Sequence, residues 1–391
     1  MDRAKAFSLC TVIKDNEMLR IFQILALIPL LLSAQITVTA DNESGYASNA
    51  FANYLESGDW YSGLTLQLNQ DWLQQTSGVR LYYQGEGETF RRYNERSYHQ
   101  HGIGVAYYRQ KHDSAARLQS GFLAQKRFHR ESYDWYEQQQ VNGYVNLRWI
   151  LQPSLYLYLG STAKYVHYPL LSAFSSLQPS FFMRWGWFSE KGTTVLAEAD
   201  FSSKWYSHDH DLTVPDAFVE MVALGKDRSL QGLFSVKVAQ ALRPGVGANV
   251  LFAVRHNFIN SVRYLGTGDS TFYSDEELFD DVFGYHGFSL APSLKMLFVP
   301  GWTLQLGGAL LWKYYDQRQA VQLDGVPFAD ERLREDRRLL WSVSLEKKVR
   351  LAKNWQPLGI TFGYQHVQNE SNDPYYRYGA DFATLGISTG Y

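Results

Sequence analysis

Few residues in this sequence are arranged for covalent chemistry. Ser371 stands in the run Asn369-Glu370-Ser371-Asn372, with His366 five residues ahead of it. A serine becomes a nucleophile only with its base in hydrogen-bond reach, and the Asn-Asp-Pro that follows suits a polar loop equally well. His208-Asp209-His210-Asp211 would point two imidazoles the same way in an extended strand, but two ligands do not make a metal site. The acidic run Asp275-Glu276-Glu277, with Asp280 and Asp281, has the oxygen donors for a divalent cation; a charge run is more often simply solvated. The single cysteine, Cys10, precedes an apolar segment that reads as removable, which leaves no thiol for disulfides, catalysis or metal. The expectation is a chain without catalytic residues, metal or cofactor.

A second group of residues suggests physics in place of catalysis. Arg80, Arg148, Lys164, Arg184, Lys204, Lys237, Arg255, Lys295, Lys313 and Lys348 fall on the polar side of alternating segments, with Glu86, Glu88, Glu198, Asp200 and Glu346. If those sides share one interior, cations outnumber carboxylates there, and rings of basic side chains favour anions. Tyr82, Tyr144, Tyr156, Tyr158 and Tyr315 fall on the same sides and offer ring faces for sugars. A register slip of one residue would move any of them to the other face. The whole chain has a net charge of -2, so no global basic field collects phosphates, and nucleic acid is excluded as a partner.

The elements that must position these residues are strands. At 339–349, Leu339, Trp341, Val343 and Leu345 alternate with Ser342, Ser344 and Glu346; at 302–315, Trp302, Leu304, Leu306, Leu310 and Trp312 alternate with Thr303, Gln305 and Lys313. Tight connectors such as Gln152-Pro153-Ser154, Glu190-Lys191-Gly192, Arg243-Pro244-Gly245 and Pro300-Gly301 alternate with long polar stretches at 206–228, 259–284 and 317–335. The alternation predicts fifteen strands, roughly 60–73, 77–92, 97–110, 114–131, 139–151, 154–168, 176–189, 192–206, 229–241, 246–258, 285–298, 302–317, 336–350, 356–369 and 379–391. Strict up-and-down order needs one more rising strand, for which 46–56 is the candidate; the total is then about sixteen, or fourteen if two weak strands merge.

Residues 21–32 are apolar except for Gln23, preceded by Met18 and Arg20 and followed by Thr37-Val38-Thr39-Ala40. That order is a signal peptide, too short to span a bilayer as a helix. It predicts residues 1–40 as the address segment, with Met18 as an alternative initiator, Ala34 as an alternative cleavage point, and 41–391 as one domain.

Aromatic residues make up 16% of the chain, 27 of them Tyr, while the mean hydropathy is -0.31. Strands with one oily and one wet face, tight turns at one end and long loops at the other are the pattern of an all-β, antiparallel, transmembrane barrel. Backbone amides in hydrocarbon have no water to pair with, so the sheet must close on itself. Trp185, Trp187, Trp302, Trp312 and Trp341 are expected in aromatic girdles.

The last residues carry Ala383, Leu385, Ile387, Thr389 and Tyr391 on one face. This resembles the closing strand of Gram-negative outer-membrane β-barrel proteins, which usually end in Phe and carry a bulkier residue at the place of Thr389. The resemblance implies an outer-membrane location, contact with outer-membrane lipid and lipopolysaccharide, and insertion by the barrel assembly machinery. The run at Ser371 is superficially similar to outer-membrane lipid hydrolases, but those place the His just before a Ser-Asn pair, and here that spacing is broken. Neither a plug domain nor a periplasmic repeat domain is expected ahead of the barrel.

The reading is a channel for small, anionic or sugar-like solutes, driven by the gradient alone. The alternatives are a closed barrel that binds lipopolysaccharide or an exported polysaccharide through its loops, and a lipid hydrolase. The long stretch 259–284 is the best candidate for a constriction, because its acids could meet a basic wall.

Overall fold

A computed structural model describes residues 35–110, 115–207, 222–223, 228–265, 276–350 and 356–390. The elements in chain order are β1 (Gln35–Ala47), β2 (Asp59–Leu73), β3 (Ser77–Phe90), β4 (Tyr98–Gln110), β5 (Ala116–His129) and β6 (Gln138–Gln152). Then come β7 (Leu155–His167), β8 (Ser176–Phe188), β9 (Thr193–Tyr206), β10 (Val222–Ala223), β11 (Arg228–Arg243) and β12 (Val246–Ile259). They are followed by β13 (Tyr264–Leu265), a one-turn helix α1 (Glu276–Phe279), β14 (Tyr285–Val299), β15 (Trp302–Gln319), β16 (Leu333–Val349), β17 (Leu358–Ser371) and β18 (Tyr378–Gly390).

All but β10 and β13 form one closed antiparallel barrel of sixteen strands, in which β1 pairs with both β2 and β18. Closure leaves no row of unpaired amides, each of which would cost several kcal/mol in hydrocarbon. β10 and β13 pair with each other in a separate two-stranded sheet.

The period of two fixes which side chains face out. Ile36 pairs with Gln70, Val38 with Leu68 and Tyr46 with Trp60, while Thr39 pairs with Gln67 and Asp41 with Thr65. The first set continues around the barrel through large exposed apolar residues such as Leu64, Ile103, Phe201, Phe234 and Phe362. The second carries the charges and hydroxyls, and it turns inward.

Short turns gather at one end. Gly192, Gly245 and Gly301 each take a left-handed φ near +77° there, a conformation that an L side chain resists. At Gly245 an added Cβ would also meet the Leu297 carbonyl at 2.8 Å. Residues 48–58, 130–137 and 320–332 are long connections at the other end, where residues 260–265 and 276–284 also lie.

One expectation is corrected: the sixteenth strand is 35–47, not 46–56. Its residues 35–40, which the signal-peptide reading also claims, pair along β2 from Asp71 to Leu66. The small residues Thr37, Thr39 and Ala40 resemble a cleavage tail, and they hide an alternation in which Ile36, Val38 and Ala40 turn out while Thr37, Thr39 and Asp41 turn in. Residues 48–58 form a loop, with Ala52 and Glu56 at positive φ and Asn49 Nδ2 donating to the Asn53 carbonyl at 2.6 Å. Residues 276–284 of the acidic stretch are more than a solvated connection.

Candidate functional site

Register places Arg80, Arg148, Lys164, Arg184, Lys204, Lys237, Arg255, Lys295, Lys313 and Lys348 on the inward face, with Glu86, Glu88, Glu198, Asp200 and Glu346. The same register adds carboxylates that sequence reasoning missed: Asp41 and Glu43 on β1 and Asp71 on β2. Arg117, Arg127 and Arg338 join the cations. The excess of cations read from the sequence therefore persists among these residues, thirteen against eight, and charge is also segregated. Acids crowd β1–β3, while Arg148, Arg184, Lys237, Arg255 and Lys295 lie on β6, β8, β11, β12 and β14.

Many of these groups are paired. Arg80 donates to Asp71 at 2.7 and 2.9 Å, Arg184 Nε lies 2.5 Å from Glu198, and Lys348 Nζ lies 3.4 Å from Glu346. Arg148 rests over the Tyr156 ring at 5.0 Å and Arg184 over Tyr158 at 5.9 Å.

Three of the inward tyrosines, Tyr82, Tyr144 and Tyr156, lie against the wall. A Cβ at Gly104 would stand 2.2 Å from the Tyr82 ring, at Gly121 2.5 Å from Tyr144, and at Gly186 2.1 Å from Tyr156. Each glycine is the direct cross-strand partner of its tyrosine, so the ring occupies the place of a missing side chain. These three rings cover glycines of the wall, whereas Tyr315 is buried and donates to Asp280.

One connection does enter it. Between β12 and β14, Asp280 lies 2.5 Å from Lys313 Nζ, accepts from the Tyr315 hydroxyl, and has Arg338 at 3.8 Å and Arg334 at 4.0 Å. Asp281 pairs with Lys204, and both side chains are almost wholly buried, at 2% and 4% exposure. Backbone carbonyls of the same segment accept from wall side chains: Phe279 from Arg318 at 2.5 Å, Val282 from Gln231 at 2.6 Å, and Phe283 from Asn257 at 3.0 Å. Leu278 and Phe279 pack with Tyr136, Val166, Tyr168, Leu171 and Phe174, contributed by β7 and the loops after β5 and β7.

Electrostatics hold Asp280 ionised. Burial alone would raise its carboxyl, but Lys313, Arg334 and Arg338 outweigh that and hold it well below the usual carboxylate range. Two cavities of about 440 and 390 Å³ lie along β1–β3 and β16–β18, both touching Glu43, Tyr61 and Glu88.

The outward face has the complementary character. Trp185 and Trp187 stand exposed near the short-turn end with Trp72 and Trp149, while Trp60, Trp205 and Phe258 are exposed near the long-loop end. Trp302 lies at the short-turn end of β15 beneath the Lys347 ammonium at 4.9 Å. Trp312 stacks on Phe288 at 4.4 Å, and Trp341 is exposed beside Tyr364 at 5.0 Å. An apolar wall of this extent between two aromatic rims is stable only in lipid. The chain is a transmembrane β-barrel of the outer-membrane type.

Comparison with solved structures agrees on the fold of this outer-membrane barrel. It is similar to the crystal structure of Pseudomonas aeruginosa OccK8 (OprE), with a TM-score of 0.50 and 12% identity over 92% of this chain and 98% of that one. P. aeruginosa OccK5 (OpdH) gives 0.48 and 13% identity over 91% and 98%, and OpdK with vanillate gives 0.48 and 10% over 91% and 98%. At these identities the likeness is one of fold. No protein-family model and no curated protein matches the sequence.

The remaining candidates separate. Ser371 and His366 fall on opposite faces of β17: Ser371 Oγ accepts from the Asp373 amide at 3.0 Å, and His366 pairs outward with Asp381 at 2.8 Å. That geometry cannot make a nucleophile and its base. Ala383, Leu385, Ile387 and Thr389 share the outward face of β18, and Tyr391 lies outside the described residues. So do His208, Asp209, His210, Asp211 and Asp275. Among the described residues, no three His, Cys, Asp or Glu side chains converge on a metal position.

Proposed function

We propose that the barrel is a passive diffusion channel for small polar solutes, preferring anionic or sugar-like ones. The observation that carries this is the placement of Tyr82, Tyr144 and Tyr156 on wall glycines, with Arg148 above Tyr156. Rings that fill space would point into the lumen and pack on one another; rings that coat the wall leave a passage and offer their faces to it. Sixteen strands enclose a lumen wide enough for water, and the segment at 276–284 narrows it from one side without any covalent chemistry.

Selection then rests on size and field. A small anion meets Arg148, Arg184, Lys237 and Lys295 along one wall, while Asp41, Glu43, Glu86 and Glu88 on the other orient any solute that carries a dipole. A pyranose or aromatic ring can lie on the tyrosines with its polar edge toward the arginines. The test is swelling of liposomes containing the refolded barrel, in a neutral hexose or its uronic acid. Faster swelling than in protein-free liposomes, with the uronate at least equal to the hexose, supports the reading. Absence of swelling in both, with correctly folded protein, overturns it.

A further inference from the structure

The outward face carries a polar cluster that a solute in the lumen cannot reach. On β4, His99 and His101 both point out, with His99 Nδ1 3.1 Å from His101 Nε2 and the Tyr83 hydroxyl 2.6 Å from His101 Nδ1. Across the strand pair, His99 is matched with Phe128 and His101 with Lys126. The His99 ring stacks on Phe128 at 5.0 Å, and the Lys126 ammonium rests over the same Phe128 ring at 4.4 Å. On the other side the two histidines are matched with Gly87 and Gly85, and above Gly87 nothing lies nearer than 3.7 Å to an added Cβ.

Hydrogen bonding gives this cluster a direction. A neutral imidazole has one donor and one acceptor. If Tyr83 donates to His101 Nδ1, then His101 Nε2 donates to His99 Nδ1, and His99 Nε2 is left as a donor. An acceptor at His99 Nε2 selects that direction for the whole chain of bonds.

Position narrows the chemistry. His99 is the second residue of β4 from the long-loop end, and the outward positions that follow it down the wall are apolar: Ile103 at 63% exposure and Val105 at 41%, with Phe122 beside them at 47%. A lysine facing lipid costs about 2–4 kcal/mol at the bilayer midplane and about 0–1 near the interface, so Lys126 sets this level at the headgroups. Within the paired register no carboxylate stands beside the cluster; the second cross-strand neighbour of Lys126 is Gln139. Arg91, Arg130 and Glu137 follow at the loop edge.

We propose that His99, His101 and Lys126 form a binding site for the phosphate of a phosphorylated outer-leaflet lipid. The acyl chains lie on Ile103, Val105 and Phe122, and the phosphate sits beside His99 over the gap left by Gly87. Such a site is independent of the channel and holds lipid at one place on the wall.

Native mass spectrometry of the detergent-solubilised chain tests it, titrating bisphosphorylated lipid A, the same lipid dephosphorylated, and inorganic phosphate. Wild type is expected to retain the bisphosphorylated lipid about tenfold more tightly than the variant His99→Asn/His101→Gln/Lys126→Gln, and than it retains the dephosphorylated lipid. Lys126→Arg, which keeps the charge, is expected to bind as wild type, and millimolar phosphate to leave the complex intact. Equal retention by wild type and the triple variant overturns the proposal. So does displacement by inorganic phosphate, which would make free phosphate the ligand.

Discussion

The carboxylate of Asp280 stands 2.5 Å from the ammonium of Lys313, joining a connecting segment to the inner wall of β15. With the buried pair of Asp281 and Lys204, it holds residues 276–284 inside the barrel. Removing one partner of a buried pair costs about 3–5 kcal/mol. Asp280→Asn/Asp281→Asn is therefore expected to release the segment, giving a larger and noisier open current. An unchanged current would show that Arg318, Gln231 and Asn257 suffice to hold it.

The pH dependence of this restraint follows from the direction of the Asp280 shift. A carboxyl held below its ordinary value of about 3.9 contributes its full stabilisation above that pH, and loses it as pH falls through the lower folded value. Lys313, Arg334 and Arg338 put the folded value well below the ordinary range. Conductance at pH 5 should therefore equal that at pH 7, and loosening should begin only in stronger acid. A transition between pH 5 and 7 would contradict the assignment.

Gly104→Ala tests the wall-coating tyrosines. A Cβ there would stand 2.2 Å from the Tyr82 ring, so the ring must leave the wall. Forcing a side chain out of place costs about 1–3 kcal/mol. The variant should unfold at lower urea concentration in lipid vesicles and pass sugars more slowly, whereas Gly379→Ala, with open space around it, should leave transport unchanged.

Arg96 ties two connections together at the long-loop end. Its guanidinium donates to the Ala50 carbonyl at 3.1 Å and lies over Phe51 at 4.5 Å and Phe90 at 4.4 Å; burial pulls its pKa down to about 10. It remains charged at neutral pH, so these contacts persist there. Arg96→Ala should loosen residues 48–58 by about 2 kcal/mol, read as faster chymotrypsin cleavage at Phe51 and Tyr54.

Processing can be read from an intact mass. Residues 35–40 pair with β2, and Thr39 and Ala40 also pair with β18. Cleavage after Ala40 would remove those pairs and leave only residues 41–47 of β1 to close the barrel against β18, so the mature chain is expected to begin at Gln35. A mass corresponding to Asp41 would contradict this.

Most of the barrel was legible because a strand between lipid and water must alternate, and Leu339, Trp341, Val343 and Leu345 do so without interruption. β1 was not, because its outward Ala40, Asn42 and Ser44 are too small or polar to mark a lipid face. The carboxylates Asp41 and Glu43 were lost with it, and with them the segregation of charge. The inward fold of 276–284 was legible in outline, since a long acidic connection beside a basic wall has somewhere to go. Its partners Lys313 and Lys204 needed the register. The cluster of Tyr83, His99, His101 and Lys126 carried no sequence signal, because it is assembled across three strands.

Single-channel current across a planar bilayer, with a salt gradient over refolded barrel, tests the central claim most directly. The account predicts steady conductance with a reversal potential on the anion side, moving toward cations when Arg148, Arg184, Lys237 and Lys295 are replaced by Gln. Silence from folded protein would contradict a passive channel, and a cation-side reversal unaffected by those replacements would contradict selection by the basic wall.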